Sequence, residues 1–256
     1  MGDIYMGQPR GSTRKFRSIG ANYYALGDDL SFGANGDAWR SDVEAQAGML
    51  PVDFLMEWIS VESGFNPCSY TSLQEAGIFQ LMAGDNMAQG GTTMAQQHPV
   101  PPCVAGVQTS ANRASLTDDQ AYEQVRAGIQ YVNFCKDKAS ALLNMYGYGD
   151  SGGWSFDHYS AWCMTKMVHV APAVIPGMLH AGLAGAGGVP ADWDDMVQYV
   201  TNVPASWLAN ARKVGAYGEG GGSIATAALS AISGDNKFLV LGALGVGLLY
   251  LLHKNR

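Results

Sequence analysis

The chain has 256 residues, of which 47% are hydrophobic and 14% are charged, so it is long and apolar enough to bury a substantial core. This composition excludes a miniature domain that depends on cross-links alone. The formal net charge of -7 at pH 7 is opposite in sign to the basic surface that general nucleic-acid binding needs. We therefore expect no specific nucleic-acid site.

The four cysteines and five histidines show no spacing typical of a metal site. No C-x-x-C pair is present, which indicates neither a zinc ribbon nor a thioredoxin motif, and the pairing of the cysteines stays open. The histidines form no H-E-x-x-H motif. We expect no metal and no cofactor, and we interpret the histidines as structural or surface residues.

Residues 1–40 are predicted to form a basic N-terminal extension. The first 17 residues carry four basic side chains and one acidic side chain. No apolar run typical of a signal peptide follows them. Two interpretations stay open, a solvated tail and an arm that contacts phosphate or lipid.

Residues 41–217 are predicted to form a mainly α-helical domain. Ser41 and Thr117 are each followed three residues later by Glu or Gln, as in a capping box at a helix start. Residues 83–116 form a long irregular stretch of the kind that borders clefts, and the glycine-rich residues 182–188 are interpreted as a loop. After Thr117, apolar residues recur at helical steps: Tyr122, Val125, Ile129 and Val132.

The C-terminal part is predicted to be a linker followed by an apolar helix. Residues 218–236 are rich in Gly, Ala and Ser, which favours a flexible linker. Residues 237–256 contain fifteen uncharged residues from Phe238 to Leu252, a short but possible membrane span. We expect a membrane-seeking helix, and a core or oligomer-packing helix is the alternative.

Glu62 is the candidate general acid. Its helix is predicted to begin at Pro51 and to end at Gly64, so Glu62 lies in the last turn, between the core and a cleft. Burial and the negative end of the helix dipole are both expected to raise its pKa, as a general acid requires. A solvated glutamate in a fraying turn is the other interpretation. The buried face of this helix is predicted from Val52, Leu55, Met56 and Ile59.

Three segments together resemble a known enzyme family. Residues 62–67 read E-S-G-F-N-P, residues 77–82 read G-I-F-Q-L-M, and residues 128–132 read G-I-Q-Y-V. They are similar to motifs of the lytic transglycosylases of the soluble-lytic, goose-lysozyme-like superfamily. Where that family has Y-N-A-G, Trp162 takes the Tyr position and the Asn and Gly are missing. Glu75 likewise stands where the family has Ala before its G-L-M-Q motif.

The resemblance implies a lysozyme-like helical fold and an enzyme that cleaves peptidoglycan glycan strands between N-acetylmuramic acid and N-acetylglucosamine. Glu62 would be the only catalytic acid and base, and the muramyl C6 hydroxyl would attack C1 to leave a 1,6-anhydromuramyl end. Five further residues would surround the substrate. Ser63 and Gln80 would orient Glu62 or the acetamido group, Gly77 would allow close backbone approach, and Trp162 or Tyr159 would contact sugar.

Two other chemistries and one non-enzymatic role are considered. Glu75 would make the protein a hydrolytic muramidase if it activated water opposite Glu62. Residues 149–153 read G-D-S-G-G, as around the nucleophile of trypsin-like proteases, but no strand pattern surrounds Ser151 and we interpret the segment as a turn. A structural or channel-forming virion protein with a decayed enzyme domain is the third alternative.

The cellular context is inferred from two features, the absence of a signal peptide and a substrate outside the cytoplasm. A bacteriophage virion component that opens the cell wall locally during genome entry fits both. The expected partners are peptidoglycan glycan strands, a lipid membrane contacted by residues 237–256, and other virion proteins or further copies of the chain.

Overall fold

The computed structural model describes residues 31–82, 102–104 and 106–219, together with the backbone of two short strands. The strands, β1 (Lys15–Ser18) and β2 (Ala21–Tyr24), pair antiparallel with Lys15 opposite Tyr24. They belong to a unit separate from the compact unit that begins at Phe32 and ends at Gly220. The apolar residues 237–256 and residues 220–236 of the predicted linker lie outside the described residues.

The larger unit is mainly helical, as predicted from the sequence. Its described helices are α1 (Gly33–Asp37), α2 (Arg40–Glu44), α3 (Val52–Ser63), α4 (Asp118–Met145), α5 (Tyr159–Val170), α6 (Ile175–Ala186), α7 (Trp193–Val197) and α8 (Ala205–Gly215). Short 3₁₀ turns lie at Arg113–Ser115, Asp150–Gly152 and Pro172–Val174. The unit begins before the predicted start at Ser41, because Trp39 is fully buried and donates from Nε1 to the carbonyl of Phe65 over 3.3 Å.

The helix ends follow the local chemistry of the sequence in most places. Gly64 caps α3 in the left-handed conformation with φ 59°. The capping box predicted at Thr117 is confirmed, because its hydroxyl accepts from the amide of Gln120 and the Gln120 side chain accepts from the amide of Thr117. The one predicted at Ser41 is wrong: Ser41 lies inside α2, and Trp39, the residue before the helix, makes no side-chain capping bond to it.

The interpretation of residues 182–188 as a loop is also wrong. Helix α6 continues through this stretch to Ala186 and ends at Gly187, which is left-handed with φ 70°. Gly182 is required because a side chain there would collide with the hydroxyl of Tyr148, and Gly185 leaves room for the ring of Tyr199. The glycines therefore allow close packing on a helix.

Helix α5 is the central element of the core. Every residue from Tyr159 to Val168 is buried, and the helix packs against α4 on one side and α8 on another. Among the described residues no single helix is both long and apolar enough to cross a bilayer. The segments Tyr159–Val170 and Pro172–Ala186 pass this test only together, and they are bent by 119°.

One disulfide, Cys68–Cys103, joins the segment after α3 to the segment before α4. Cys135 and Cys163 are buried and form no disulfide. This pairing resolves what cysteine spacing left open.

Helix α4 approaches residues 77–82 closely at Gly128. A Cβ atom at this position would lie 1.9 Å from the ring of Phe79, which is fully buried. The glycine that begins the 128–132 motif is thus explained by packing against the 77–82 motif.

We expect Gly128→Ala to lower the free energy of unfolding by roughly 1–3 kcal/mol, because the new methyl group overpacks against Phe79. Gly177→Ala in α6 is the matched control, since a Cβ there meets no atom within 4 Å. Chemical denaturation of the full chain measures both. Equal effects of the two substitutions would contradict the packing at Gly128.

We also expect native protein prepared without reductant to show no reactive thiol, because Cys135 and Cys163 are buried. After denaturation two thiols should react with a chromogenic disulfide, and after reduction all four should react. Four reactive thiols in the denatured, unreduced protein would exclude the Cys68–Cys103 bond.

Candidate active site

Residues 77–80 form a tight turn closed by a backbone pair. Ala76 and Leu81 exchange two N–H···O bonds of 3.1 and 3.0 Å. Gly77 has φ 76° and Gln80 has φ 52°, so both adopt the left-handed conformation. A glycine at position 77 meets this need without steric cost.

The side chain of Gln80 stabilises this turn from inside. It is 2% exposed, and its Nε2 donates to the carbonyls of Gly77 over 2.7 Å and Ser69 over 3.3 Å. Its Oε1 is buried with no hydrogen-bond partner among the described residues. Its predicted role toward Glu62 or an acetamido group stays a prediction.

Two side chains join the 62–67 and 77–82 motifs. The hydroxyl of Ser63 donates to the carbonyl of Ile78 over 2.9 Å. From α4, the buried Gln124 accepts from the amide of Ile78 over 3.4 Å and donates to the carbonyl of Pro67 over 3.3 Å. Because both bonds reach Ile78, the end of α3 is fixed on the turn, and Ser63 positions Glu62 through the backbone.

Asn66 attaches the same region to residues 109–111. Its Oδ1 accepts from the amides of Cys68 and Ala111, and its Nδ2 donates to the carbonyl of Thr109 over 2.7 Å. Three of the four hydrogen-bonding positions of this amide are thus used to hold the chain that follows Glu62. The N-P part of the motif is structural in this protein.

Helix α5 brings two nitrogen atoms to one oxygen of Glu62. Lys166 Nζ donates to Oε1, and His169 Nε2 lies 3.3 Å from the same oxygen. The side chains of Lys166 and His169 are 0% and 8% exposed, whereas that of Glu62 is 19% exposed. Because Lys166 and His169 are three residues apart, they lie on one face of the helix.

These neighbours reverse the expected ionisation of Glu62. Burial by itself raises the pKa of its carboxyl, but the charges and hydrogen bonds of Lys166 and His169 together lower the pKa to about 2. The prediction of a raised pKa is therefore wrong for this resting state. A raised pKa is expected from α3 and its dipole alone, whereas Lys166 and His169 come from a helix about 100 residues further along the chain.

The ion pair between Glu62 and Lys166 lies among aromatic and titratable groups. The ring centre of Trp58, one turn earlier on α3, is 4.2 Å from Lys166 Nζ. The imidazole of His169 packs against Trp58 and Tyr131. Its ring centre lies 5.2 Å from that of Trp58 and 5.6 Å from that of Tyr131. Burial lowers the pKa of Lys166, whereas Glu62, Cys135 and Glu75 each act to raise it.

Trp162 and Tyr159 are placed in the core of the unit. Trp162 is buried against Phe54, its Nε1 donates to the carbonyl of Phe156 over 2.8 Å, and the backbone of Gly218 covers it closely. The hydroxyl of Tyr159 donates to Asp194 over 3.2 Å. These contacts account for both aromatic residues by packing, and their contact with sugar stays a prediction.

The two alternative motifs have different surroundings. The carboxylate of Glu75 is held by the hydroxyl of Thr71 over 2.7 Å and is close enough to affect Lys166 electrostatically. Ser151 is exposed in a 3₁₀ turn that ends at the left-handed Gly153. The G-D-S-G-G segment is thus a turn between helices, as interpreted from the sequence.

A cavity of about 260 Å³ lies elsewhere, between α6 and residues 199–203. Met178, Ala181 and Val203 are among its apolar lining residues, and none of the predicted site residues lines it. In the part of the chain that the structure describes, no group of three His, Cys, Asp or Glu side chains is placed to hold a metal ion.

Sequence reasoning missed Lys166 and His169. The interpretation of the histidines as structural or surface residues did not anticipate the contact of His169 with Glu62. A signal was present: Lys166 is the only Lys, Arg, Asp or Glu in the apolar helix 159–170, and a buried lysine needs a partner. The carboxylate that pairs with it could not be identified without the tertiary structure.

No family model, curated protein or solved structure matches this chain. The resemblance to lytic transglycosylases therefore depends on the motifs and their spacing.

We expect Lys166→Met to lower the free energy of unfolding at pH 7 by about 3–5 kcal/mol, because it leaves a buried carboxylate without its counter-ion. Glu62→Gln combined with Lys166→Met removes both charges and should recover most of this loss. Chemical denaturation of the single and double variants measures the coupling.

The difference between wild type and Lys166→Met should also depend on pH. The folded-state pKa of Glu62 is about 2 and its ordinary value is 4.5, so the stabilisation is present above about 4.5 and is lost as the pH falls toward 2. A difference that stays constant over this range would contradict the ion pair.

Proposed function

We propose that the protein is a peptidoglycan lytic transglycosylase with a lysozyme-like helical domain. It cleaves glycan strands between N-acetylmuramic acid and N-acetylglucosamine and leaves 1,6-anhydromuramyl ends. The observation that carries the proposal is the position of Glu62, which is fixed on the 77–80 turn through Ser63 and stays 19% exposed at its side chain. A rigid carboxyl at the edge of the core is suited to act on a bound glycan.

The reaction needs one carboxyl in two roles. Glu62 protonates the bridging oxygen as the glycosidic bond breaks, and the substrate's acetamido group stabilises the positive charge at C1. The carboxylate of Glu62 then takes the proton of the muramyl C6 hydroxyl as that oxygen bonds to C1. No second protein carboxylate takes part, and no water molecule is consumed.

The ionised resting state of Glu62 constrains this mechanism. A carboxyl whose pKa is about 2 carries no proton at neutral pH, so the acid step needs a proton from a neighbouring group. Lys166 Nζ and His169 Nε2 both contact Glu62 Oε1 and are the candidates. The carboxylate form is already suited to the later base step.

We further propose that the chain acts as a virion component at the host cell envelope and that residues 237–256 attach it to lipid. Support comes from the uncharged run from Phe238 to Leu252, which exposes more apolar surface than a solvated tail tolerates. Attachment would concentrate the catalytic domain at the wall.

A hydrolytic muramidase is the second candidate, and the observation that favours it is the setting of Glu75. Thr71 holds its carboxylate in place, and that carboxylate acts electrostatically on Lys166 beside Glu62. A second oriented carboxylate is what an inverting enzyme uses to activate water.

We expect Glu62→Gln to reduce digestion of purified peptidoglycan at least ~100-fold, because the amide has no transferable proton. The double variant with Lys166→Met provides the same test without a lone buried ammonium. Thermal unfolding confirms that each variant is folded, and Ser151→Ala, an exposed turn substitution, is the control that should digest at the wild-type rate.

Mass analysis of the products separates the remaining alternatives. Anhydromuramyl ends and full activity of Glu75→Gln support the transglycosylase. Reducing muramic acid ends, together with loss of activity in Glu75→Gln, support the muramidase. A folded wild-type protein that leaves peptidoglycan intact would contradict both enzymes and favour the structural role.

A further inference from the structure

The ion pair between Lys166 and Glu62 joins a fully buried cation to a partly hydrated anion. The Lys166 side chain has no exposed surface, and the Glu62 side chain keeps 19% of its own. Water therefore stabilises the pair through the carboxylate alone. A ligand that covers this edge of Glu62 removes that hydration without moving Lys166.

We propose that Lys166 is the proton store of the site: a glycan that covers Glu62 drives one ammonium proton from Nζ onto Oε1, and this transfer makes Glu62 a general acid. The inference rests on the proposed glycan cleavage. An N–H bond of Lys166 breaks and an O–H bond forms on Glu62, so the pair changes from two opposite charges to two neutral groups. The C6 hydroxyl proton that Glu62 accepts later returns to Lys166.

The physical basis is that loss of water acts on both partners in the same direction. Burial raises the pKa of Glu62 and lowers the pKa of Lys166, and it is the largest single influence on each group. In the resting protein the attraction between the charges outweighs it. A sugar ring that excludes water adds to the burial of Glu62 and disfavours the charged pair further.

Three other groups around the pair favour the ammonium. They are Trp58 of α3, whose ring lies under Nζ, Cys135 of α4, and Glu75 of the 71–81 segment. Their effect on Lys166 opposes the effect of burial. Hydration of Glu62 is the variable that a ligand changes.

His169 is the second donor to the same oxygen, and its role differs from that of Lys166. Its ring is packed between Trp58 and Tyr131, and its Nδ1 is buried without a hydrogen-bond partner among the described residues. The ring is thus fixed in position. We assign it to holding the carboxylate oxygen toward Lys166.

The first test uses substitutions at Lys166 in the full chain. Lys166→Arg keeps a cation beside Glu62, but a guanidinium does not release its proton, so digestion of peptidoglycan at pH 7 should fall at least ~100-fold. Lys166→Met leaves Glu62 to carry its own proton, so activity should be within ~10-fold of wild type near pH 5 and at least ~100-fold lower at pH 8. A merely structural counter-ion would give an active Arg variant and a Met variant impaired equally at both pH values.

The second test observes the proton directly. Glu62 carboxyl carbon and Lys166 side-chain nitrogen signals are followed by NMR in the full-length wild type while a β-1,4-linked tetrasaccharide of N-acetylglucosamine is added. We expect the chemical shift of the Glu62 carboxyl carbon to change from that of a carboxylate to that of a protonated carboxyl. The chemical shift of the Lys166 side-chain nitrogen should change from that of an ammonium to that of a neutral amine. This measurement decides the matter if Lys166→Arg fails to fold.

The outcomes separate this inference from the proposed function. Bound tetrasaccharide with Glu62 still ionised, or a folded and fully active Lys166→Arg variant, overturns the proton store alone. The proton store is also overturned if His169→Gln loses peptidoglycan digestion at alkaline pH while Lys166→Met keeps the wild-type dependence of activity on pH. Absence of binding together with absence of peptidoglycan digestion overturns both proposals. If peptidoglycan is digested but the tetrasaccharide does not bind, the Lys166 variants decide.

Discussion

The contact between Lys166 and Glu62 is the interaction on which the site depends. A lysine with no exposed surface is tolerated only beside a compensating group, and Glu62 is that group. The requirement joins α5, the central helix of the core, to the last turn of α3. A carboxyl at the edge of the core is thereby held in one position and, in the resting protein, in its ionised form.

The rest of the site maintains this position through side-chain hydrogen bonds to the backbone. Ser63 and Gln124 attach the end of α3 to Ile78, and the amide of Gln80 holds the turn in which Ile78 lies. Gly128 lets α4 approach Phe79. Most residues of the three motifs therefore build a rigid support, and the side chain of Glu62 keeps 19% of its surface exposed.

A rigid support and an ionised carboxyl have opposite consequences for catalysis. Rigidity favours precise placement of a reacting group, which contributes much of the rate in enclosed sites. Ionisation removes the proton that glycosidic cleavage needs first. In the proposed mechanism the ion pair meets both demands because its proton moves within the pair, and the hydration of Glu62 is then the controlling variable.

Much of the helical architecture follows from the sequence alone. Pro51 and Gly64 bound α3, the Thr117 capping box begins α4, and the placement of Glu62 in the last turn follows from these local signals. Each depends on hydrogen bonds and backbone angles within a few residues, which is why local patterns predict them. The failures at Ser41 and at residues 182–188 occur where packing overrides local preference, as when the glycines of α6 make room for Tyr148 and Tyr199.

The charge state of the site was decided by the tertiary structure. From the sequence, Glu62 had apolar neighbours and an unfavourable helix dipole, and both would raise its pKa. Folding places Lys166 and His169 against it, and their charges and hydrogen bonds together outweigh those local effects. Sequence separation carries no information about such distances. The sequence could therefore nominate Glu62 as the candidate residue, and only the folded chain could determine the charge state of its carboxyl.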